Sequence, residues 1–153
     1  MGGDLNTGLD ILGTNECLEL LRSQRLGRLG VIVETKPEIF PVYFSVDDDG
    51  SILFRTGPGT KLAGALAGPV VFEVDHLDSA TGTGWSVVIH GRAHGLAGSA
   101  SLAAASRLQA LGDVTPIGSH RPHVLSLTPA VISGRRIKVT PLQAGAGALT
   151  SRN

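Results

Sequence analysis

The sequence is poor in cysteine, has no excess of charge of either sign and contains no long hydrophobic run. One cysteine occurs among its 153 residues, Cys17, which excludes an intrachain disulfide and any metal centre held by several thiolates. Cys17 falls on the apolar side of a predicted helix with no base near it in sequence, so we interpret it as a buried hydrophobic residue rather than a nucleophile. The sparing use of cysteine favours a reducing, cytoplasmic setting.

The balance of positive and negative charge also limits the kinds of macromolecule that the protein can attract. Lys and Arg number 13, as do Asp and Glu, so no general field attracts nucleic acid or an anionic membrane, and we expect neither as a partner. The apolar runs are far shorter than the ~20 residues of a membrane-spanning helix, and the N-terminus lacks the basic-then-apolar pattern of a signal peptide. Any cationic site must therefore be local.

The chain divides by composition into one domain and two ends. Residues 1–13 and 141–153 are rich in glycine and small residues without a sustained period, which predicts a flexible arm and a flexible tail. Between them, 14–140 has the patterned apolar segments of a single folded domain.

Apolar periodicity predicts three helices and seven strands within this domain. The helices are predicted at 14–23, 60–67 and 98–111, and the strands at 27–33, 39–46, 51–56, 69–75, 85–94, 123–127 and 131–139. Closely spaced strands with few helices favour an antiparallel β-barrel over alternating strand–helix units. The acidic run 47–50 ends in Asp-Gly and lacks the alternating ligands and distal Glu of an EF-hand, so it predicts a hairpin turn.

The stretch 55–66 has the composition of an anion site. Arg55, Thr56, Thr60 and Lys61 supply two cations and two hydroxyls where a strand ends and a short helix begins. The free N–H groups at a helix start add partial positive charge, so the stretch indicates a phosphate-binding site. The alternative is a turn that needed Gly for its backbone and carries an exposed Arg and Lys.

Other chemistries find less support in the sequence. The segment 57–61 lacks the Walker spacing, and no Gly-x-Gly-x-x-Gly opens a helix after the first strand, which argues against a P-loop or a Rossmann domain. His90 and His94 share a strand face but lie ~13 Å apart along it, so we predict no metal site. Trp85, the single tryptophan, fits either core or interface packing or a place beside a flat ring.

Several short segments recur in an ordered series after the opening helix. They are Gly-Arg-Leu at 27–29, Pro-Val-Tyr-Phe at 41–44, Arg-Thr at 55–56, Thr-Lys-Leu at 60–62, Phe-Glu-Val-Asp at 72–75, Gly-Trp-Ser-Val-Val at 84–88, Gly-Arg-Ala at 91–93 and Ile-Ser-Gly-Arg-Arg-Ile at 132–137. In this order they resemble the pyridoxamine 5'-phosphate oxidase-like, flavin-binding split-barrel family. The resemblance covers residues 14–138 and implies a mainly β fold, a six-stranded antiparallel split β-barrel.

The resemblance also implies a cofactor and a partner. Such proteins are homodimers that bind flavin mononucleotide (FMN) at the subunit interface, each flavin touching both chains. The implied contacts form three groups: Arg55, Thr56, Thr60 and Lys61 at the phosphate; Val42 and Tyr43 beside the isoalloxazine and ribityl parts; and Trp85 and Ser86 from the partner chain. A wall of apolar side chains beside paired cations suits a flat ring that carries a phosphate.

The sequence also departs from the family pattern. It lacks the C-terminal Arg-Leu-x-Pro ending of the oxidase proper, so we do not predict oxidation of vitamin B6. A deazaflavin coenzyme with a long acidic tail would favour more basic residues, which makes FMN the first expectation and deazaflavin the alternative. Because no side-chain acid or base stands out, the catalytic residues are unknown. An oxidoreductase acting on a small organic substrate and a non-catalytic dimeric flavin binder both stay open.

Overall fold

The computed structural model describes residues 9–57, 59–110 and 123–140. Seven strands and three helices occupy this described part. In chain order they are β1 (Leu9–Leu12), α1 (Thr14–Arg22), β2 (Leu26–Val33), β3 (Lys36–Val46), β4 (Ile52–Thr56), α2 (Thr60–Ala67), β5 (Pro69–Asp78), β6 (Thr83–Gly95), α3 (Gly98–Ala110) and β7 (His123–Lys138).

Six of the strands close into a barrel. The order β7-β4-β3-β2-β5-β6 is antiparallel throughout, and β6 pairs with β7 to complete the circuit, while β1 is added along the far end of β7. The prediction of a mainly β, six-stranded antiparallel barrel is therefore confirmed. Closure removes the free strand edges that an open sheet would expose.

The barrel interior is a packed core rather than a cavity. Strand residues alternate between an inward apolar side and an outward polar side, as in β5, where Val70, Phe72 and Val74 are buried. Phe44 and Phe72 meet edge to face, with ring centroids 5.0 Å apart. Since large side chains fill the interior, a ligand of flavin size must bind outside the barrel.

The three helices cover different parts of the barrel. Cys17 and Leu21 of α1 are buried in the main core, and Glu16 forms an ion pair with Arg136 of β7. Helix α2 packs on β2 and β6 and buries Ala65. Helix α3 lies on the outer face of β4 and β7, where Ala104 and Leu108 form a second, smaller cluster with two strand residues, Leu53 and Val124.

Two sequence predictions are wrong in this region. Leu9–Leu12, predicted as part of a flexible arm, forms β1, because its backbone pairs with residues 134–137 of β7. The strands predicted at 123–127 and 131–139 are one strand, β7. Pro129 does not interrupt it because Pro129 lies opposite Gly91, where the β6–β7 register shifts, and a bulge tolerates a residue without an N–H group.

The predicted acidic hairpin turn is confirmed. Gly50 has a φ of 86° and donates its N–H to the Asp47 carbonyl at 3.0 Å, while Asp49 Oδ1 accepts the Ser51 N–H at 2.9 Å. No helix of the described part is long and apolar enough to cross a membrane. The predicted loop at 113–122 and the predicted tail at 141–153 lie outside the described residues.

Candidate functional site

Six of the eight predicted site residues form three consecutive pairs on strands. Neighbouring residues of a strand project to opposite sides, so each pair is divided between the interior and the exterior of the barrel. The inward members are Val42, Thr56 and Trp85, and all three are buried; the outward members are Tyr43, Arg55 and Ser86. Only the outward side chains can contact a ligand on the barrel surface, whereas the inward ones can contribute only backbone groups.

Tyr43 and Arg55 are neighbours on the outer face. The β3–β4 pairing ends with Phe44 opposite Phe54, and Tyr43 and Arg55 are the next residues of the two strands beyond this pair. The Tyr43 side chain is 47% exposed. The structure thus brings together an accessible aromatic ring and a guanidinium group at the end of β4.

The Arg55 side chain is held by helix α3. Its Nη2 donates to the Ala105 carbonyl at 3.0 Å, and the side chain is half-buried beside the outer cluster under that helix. A guanidinium has five donors in a fixed fork, so the hydrogen bond to the helix sets the orientation of the whole group.

The start of α2 follows Arg55 along the chain. Gly59, with a φ of 125°, precedes the helix, and the first turn contains no acidic residue that would occupy its free N–H groups. The side chains of Thr60 and Lys61 lie outside the described part of the structure, so their predicted roles stay predictions. The guanidinium of Arg55 and the start of α2 are the two parts of the predicted phosphate site that the structure describes.

Thr56 is less suited to bind a phosphate than its sequence position indicates. Its side chain is buried and its Oγ1 donates to the Gly57 carbonyl at 3.2 Å. To donate to an anion, the hydroxyl would have to give up this bond and turn outward. We therefore expect the backbone of Thr56, rather than its hydroxyl, to matter most.

Trp85 packs within its own chain. It is 6% exposed and belongs to the main core, which agrees with core packing, one of the two alternatives for this residue. Ser86 faces outward from β6, three strand spacings from β3, or about 14 Å along the sheet. Within one chain, Ser86 is therefore not a neighbour of Tyr43, and its predicted contact from a partner chain stays a prediction.

A charged group lies on the same outer face as Tyr43. Arg28 of β2 contacts two carboxylates of β5, Glu73 at 3.1 Å and Asp75 at 3.6 Å. Partial burial and the nearby Asp75 raise the pKa of Glu73, while Arg28 acts in the opposite direction. Buried Cys17 has a raised pKa because of desolvation and the charge of Glu16, which makes it a poor nucleophile at neutral pH.

Two surface cavities have no counterpart in the predicted site. A groove of about 270 Å³ crosses the outer faces of β2, β3, β5 and β6 and is mainly apolar; Gly30, Ile32, Pro37, Ile39, Val71 and His90 are among the residues that line it. A second cavity of about 310 Å³ lies under α3, and Ser126, His94 and Arg107 are part of its wall.

One feature of the sequence partly indicated these cavities. The outward positions of β6 are mostly polar and the inward ones mostly apolar, and a half-polar strand of this kind can line a site or an interface. His90 and His94 indeed line one cavity each. Ser126 and Arg107 were not predicted, because their proximity to His94 depends on how α3 lies across β4 and β7.

Comparisons with known proteins agree with this architecture. The family model for pyridoxamine 5'-phosphate oxidase matches residues 13–136. The FAD binding protein from Mycobacterium smegmatis is 33% identical, with a TM-score of 0.65 over 85% of this chain and 99% of that one. An FAD-binding protein from Mesorhizobium loti is 23% identical with a TM-score of 0.74, over 86% of this chain and 98% of that one, and supports the fold alone.

A relative without an assigned function also matches. An uncharacterized protein of Mycobacterium tuberculosis is 35% identical over 92 residues, which cover 60% of this chain and 79% of the relative. The family model spans most of the chain and confirms the resemblance predicted from the ordered segments. The chain belongs to the pyridoxamine 5'-phosphate oxidase family.

Proposed function

We propose that this protein is a flavin-dependent oxidoreductase that binds FMN at the interface of a homodimer and acts on a small organic substrate. The observation that carries the proposal is that Tyr43 and Arg55 both face outward, with α2 beginning shortly after Arg55 along the chain. An aromatic side chain next to a phosphate-binding donor set matches the two ends of a flavin. The similar structure from Mycobacterium smegmatis, at 33% identity, is of an FAD binding protein, which supports the flavin class.

The residues have separate tasks in this proposal. The bound flavin would supply hydride or electron transfer. Arg55, held by the Ala105 carbonyl, fixes the phosphate end, and the first turn of α2 adds N–H donors and a favourable dipole. Tyr43 orients the ring end and limits its exposure to water. Because none of the described residues near this pair is a clear acid or base, the side chains here bind and orient rather than transfer protons.

The outer face of the barrel supports the homodimer. Ile39 and Tyr43 lie four residues apart on β3 and therefore face the same side, so the apolar groove and the proposed flavin site share one face of the sheet. Ile32 and Ile39 are both more than half exposed, and apolar surface of this kind is characteristic of association sites. Burying this face against a second copy would let Ser86 of that copy approach the flavin.

Cofactor titration tests the proposal. Apoprotein should bind FMN more tightly than the deazaflavin coenzyme. Flavin adenine dinucleotide (FAD) is the third ligand to compare, since the similar Mycobacterium smegmatis protein is an FAD binding protein. Arg55→Ala and Lys61→Ala should each weaken FMN binding by about tenfold or more, because charge-assisted contacts contribute ~1.5–3 kcal/mol. Arg92→Ala, an exposed arginine on β6, is the matched control. If no flavin binds, the proposal fails.

A second measurement separates an enzyme from a flavin carrier. Bound flavin is reduced with a nicotinamide donor and mixed with a panel of quinones, nitro compounds and oxygen. Reoxidation by an organic acceptor, at a rate above that of free FMN, identifies an oxidoreductase. Flavin that binds but exchanges electrons no faster than free FMN identifies a non-catalytic binding protein, the alternative function.

A further inference from the structure

The cavity under α3 is separate from the proposed flavin site. It has a volume of about 310 Å³, near the lower end of the ~300–1,000 Å³ typical of small-molecule pockets. None of the eight predicted flavin residues lines it. It lies between α3 and the outer faces of β4, β6 and β7, and its opening is bordered by the acidic turn that joins β3 to β4.

One wall of this cavity is apolar. Leu53 projects from β4, and the side of α3 that faces it carries Ala100, Ala103 and Ala104. Alanine side chains leave room for the body of a ligand where larger residues would fill the space. The wall suits a small hydrocarbon chain or ring.

The opposite wall is polar and includes a serine hydroxyl. The β4–β7 and β6–β7 registers set Ser126 between Leu53 and His94, so all three belong to one row across the sheet. Ser126 is 5% exposed and lines the cavity, and no described residue forms a hydrogen bond with its hydroxyl. This hydroxyl can therefore donate to, or accept from, a ligand that enters the cavity.

The charge at the mouth of the cavity is negative. Arg107 is already paired with two carboxylates, Asp48 at 3.3 Å and Asp47 at 3.5 Å. Asp49 also lines the cavity, and no described cation forms an ion pair with it. The N–H of Ser51 holds the pKa of Asp49 below its ordinary value, so this carboxylate is ionised at neutral pH. The partial charge of about +0.5 at the start of α3 does not reverse this balance.

We propose that this cavity is a second ligand site, which binds a small organic ammonium ion. The ammonium group contacts the Asp49 carboxylate, the apolar body lies on Leu53 and the alanines of α3, and Ser126 binds a polar group of the ligand. An organic cation fits better than a metal ion, because within the described ranges no three His, Cys, Asp or Glu side chains converge on one point. The proposal does not depend on flavin binding.

Three probes that share a phenylethyl group and differ in charge test it. Calorimetry with the full chain as purified compares phenethylamine, the neutral 2-phenylethanol and the anionic 3-phenylpropanoate. Phenethylamine should bind at micromolar to millimolar concentration, at least about fivefold more tightly than the alcohol, and the anion should bind least. Equal binding of all three, or no binding of the amine at millimolar concentration, overturns the proposal.

Matched substitutions locate the site. Asp49→Asn should weaken amine binding about fivefold or more, whereas Asp78→Asn should not, although Asp78 similarly accepts backbone N–H groups in a turn. Ala100→Phe should fill the cavity and abolish binding, whereas Ser106→Phe adds the same side chain to an exposed position of α3. Amine binding that survives both Asp49→Asn and Ala100→Phe would show that the ligand binds elsewhere.

Discussion

At the scale of single residues, adjacent strand positions have unrelated roles. From the sequence, both members of the pair Val42 and Tyr43, and both members of the pair Trp85 and Ser86, were predicted to contact the flavin. Side-chain direction was readable from strand alternation, since the inward members continue the apolar series of each strand. Which face of the barrel a ligand could reach was not readable, because it depends on the closure of the sheet and the filling of its interior.

Substitution of one such pair should give two different defects. Tyr43→Ala removes an exposed ring and should weaken FMN binding about threefold to tenfold while leaving stability nearly unchanged. Val42→Ala removes buried methyl groups and should lower the free energy of unfolding by about 2 kcal/mol with little change in the affinity of the folded protein. Urea denaturation and fluorescence titration of FMN measure both quantities, and the opposite assignment of defects would contradict the inferred faces.

At the scale of elements, the acidic pair on β5 depends on β2. Arg28 lies between Glu73 and Asp75, and without it two neighbouring carboxylates would face each other with no cation. Glu73 already binds a proton more tightly in the folded chain than in the unfolded chain. Its contribution to stability is therefore complete below its ordinary pKa of 4.5 and is lost as the pH rises through the raised value.

Arg28→Met should enlarge this pH dependence. We expect a loss of about 0.5–1 kcal/mol at neutral pH, small because the pair is partly exposed, and almost none below pH 4.5. Denaturation measured across the pH range gives the profile. Arg22→Met, which removes an arginine that donates to a backbone carbonyl, serves as the control. Adding Glu73→Gln to Arg28→Met should remove the added pH dependence. An equal loss of stability at every pH would show that Arg28 acts through packing instead.

The elements themselves were mostly predictable, and the exceptions have physical causes. Helices and strands with strong periodicity, such as α1 and β5, begin where the sequence pattern begins. Leu9–Leu12 was missed because four residues carry too short a pattern, and their strand conformation comes from pairing with β7. Pro129 indicated a break between two strands. The strand continues because Pro129 lies opposite Gly91, where the β6–β7 register shifts, and this shift cannot be read from the sequence.

At the scale of the whole molecule, the proposed dimer explains an unusual surface. A barrel with a filled interior still exposes Ile32, Ile39 and Val131 on its outer strands. In a single chain this surface would face water, at a cost of about 25 cal/mol per Å². Association would remove that cost and complete the flavin site with Ser86 of the second copy.

Ile39→Lys should therefore convert the protein to a monomer. The new charge would lie in the apolar groove, where a partner cannot solvate it. Sedimentation equilibrium measures the mass, and FMN titration of the same variant should show weaker binding. Leu102→Lys introduces the same charge at an equally exposed position of α3 and should leave the dimer intact. A monomeric wild-type protein, or an Ile39→Lys variant that remains dimeric, contradicts the proposal.

The position of β7 in the chain has a consequence for synthesis. This strand pairs with β1, β4 and β6, yet it begins only at His123. The strand pairs that close the barrel therefore cannot form until β7, the last described strand, has left the ribosome. Until then β4 and β6 present unpaired edges, which are templates for aggregation. Nascent chains that stall before residue 123 should consequently be the species that most need chaperones, and long-range pairing such as Leu9 with Ile137 predicts slow folding.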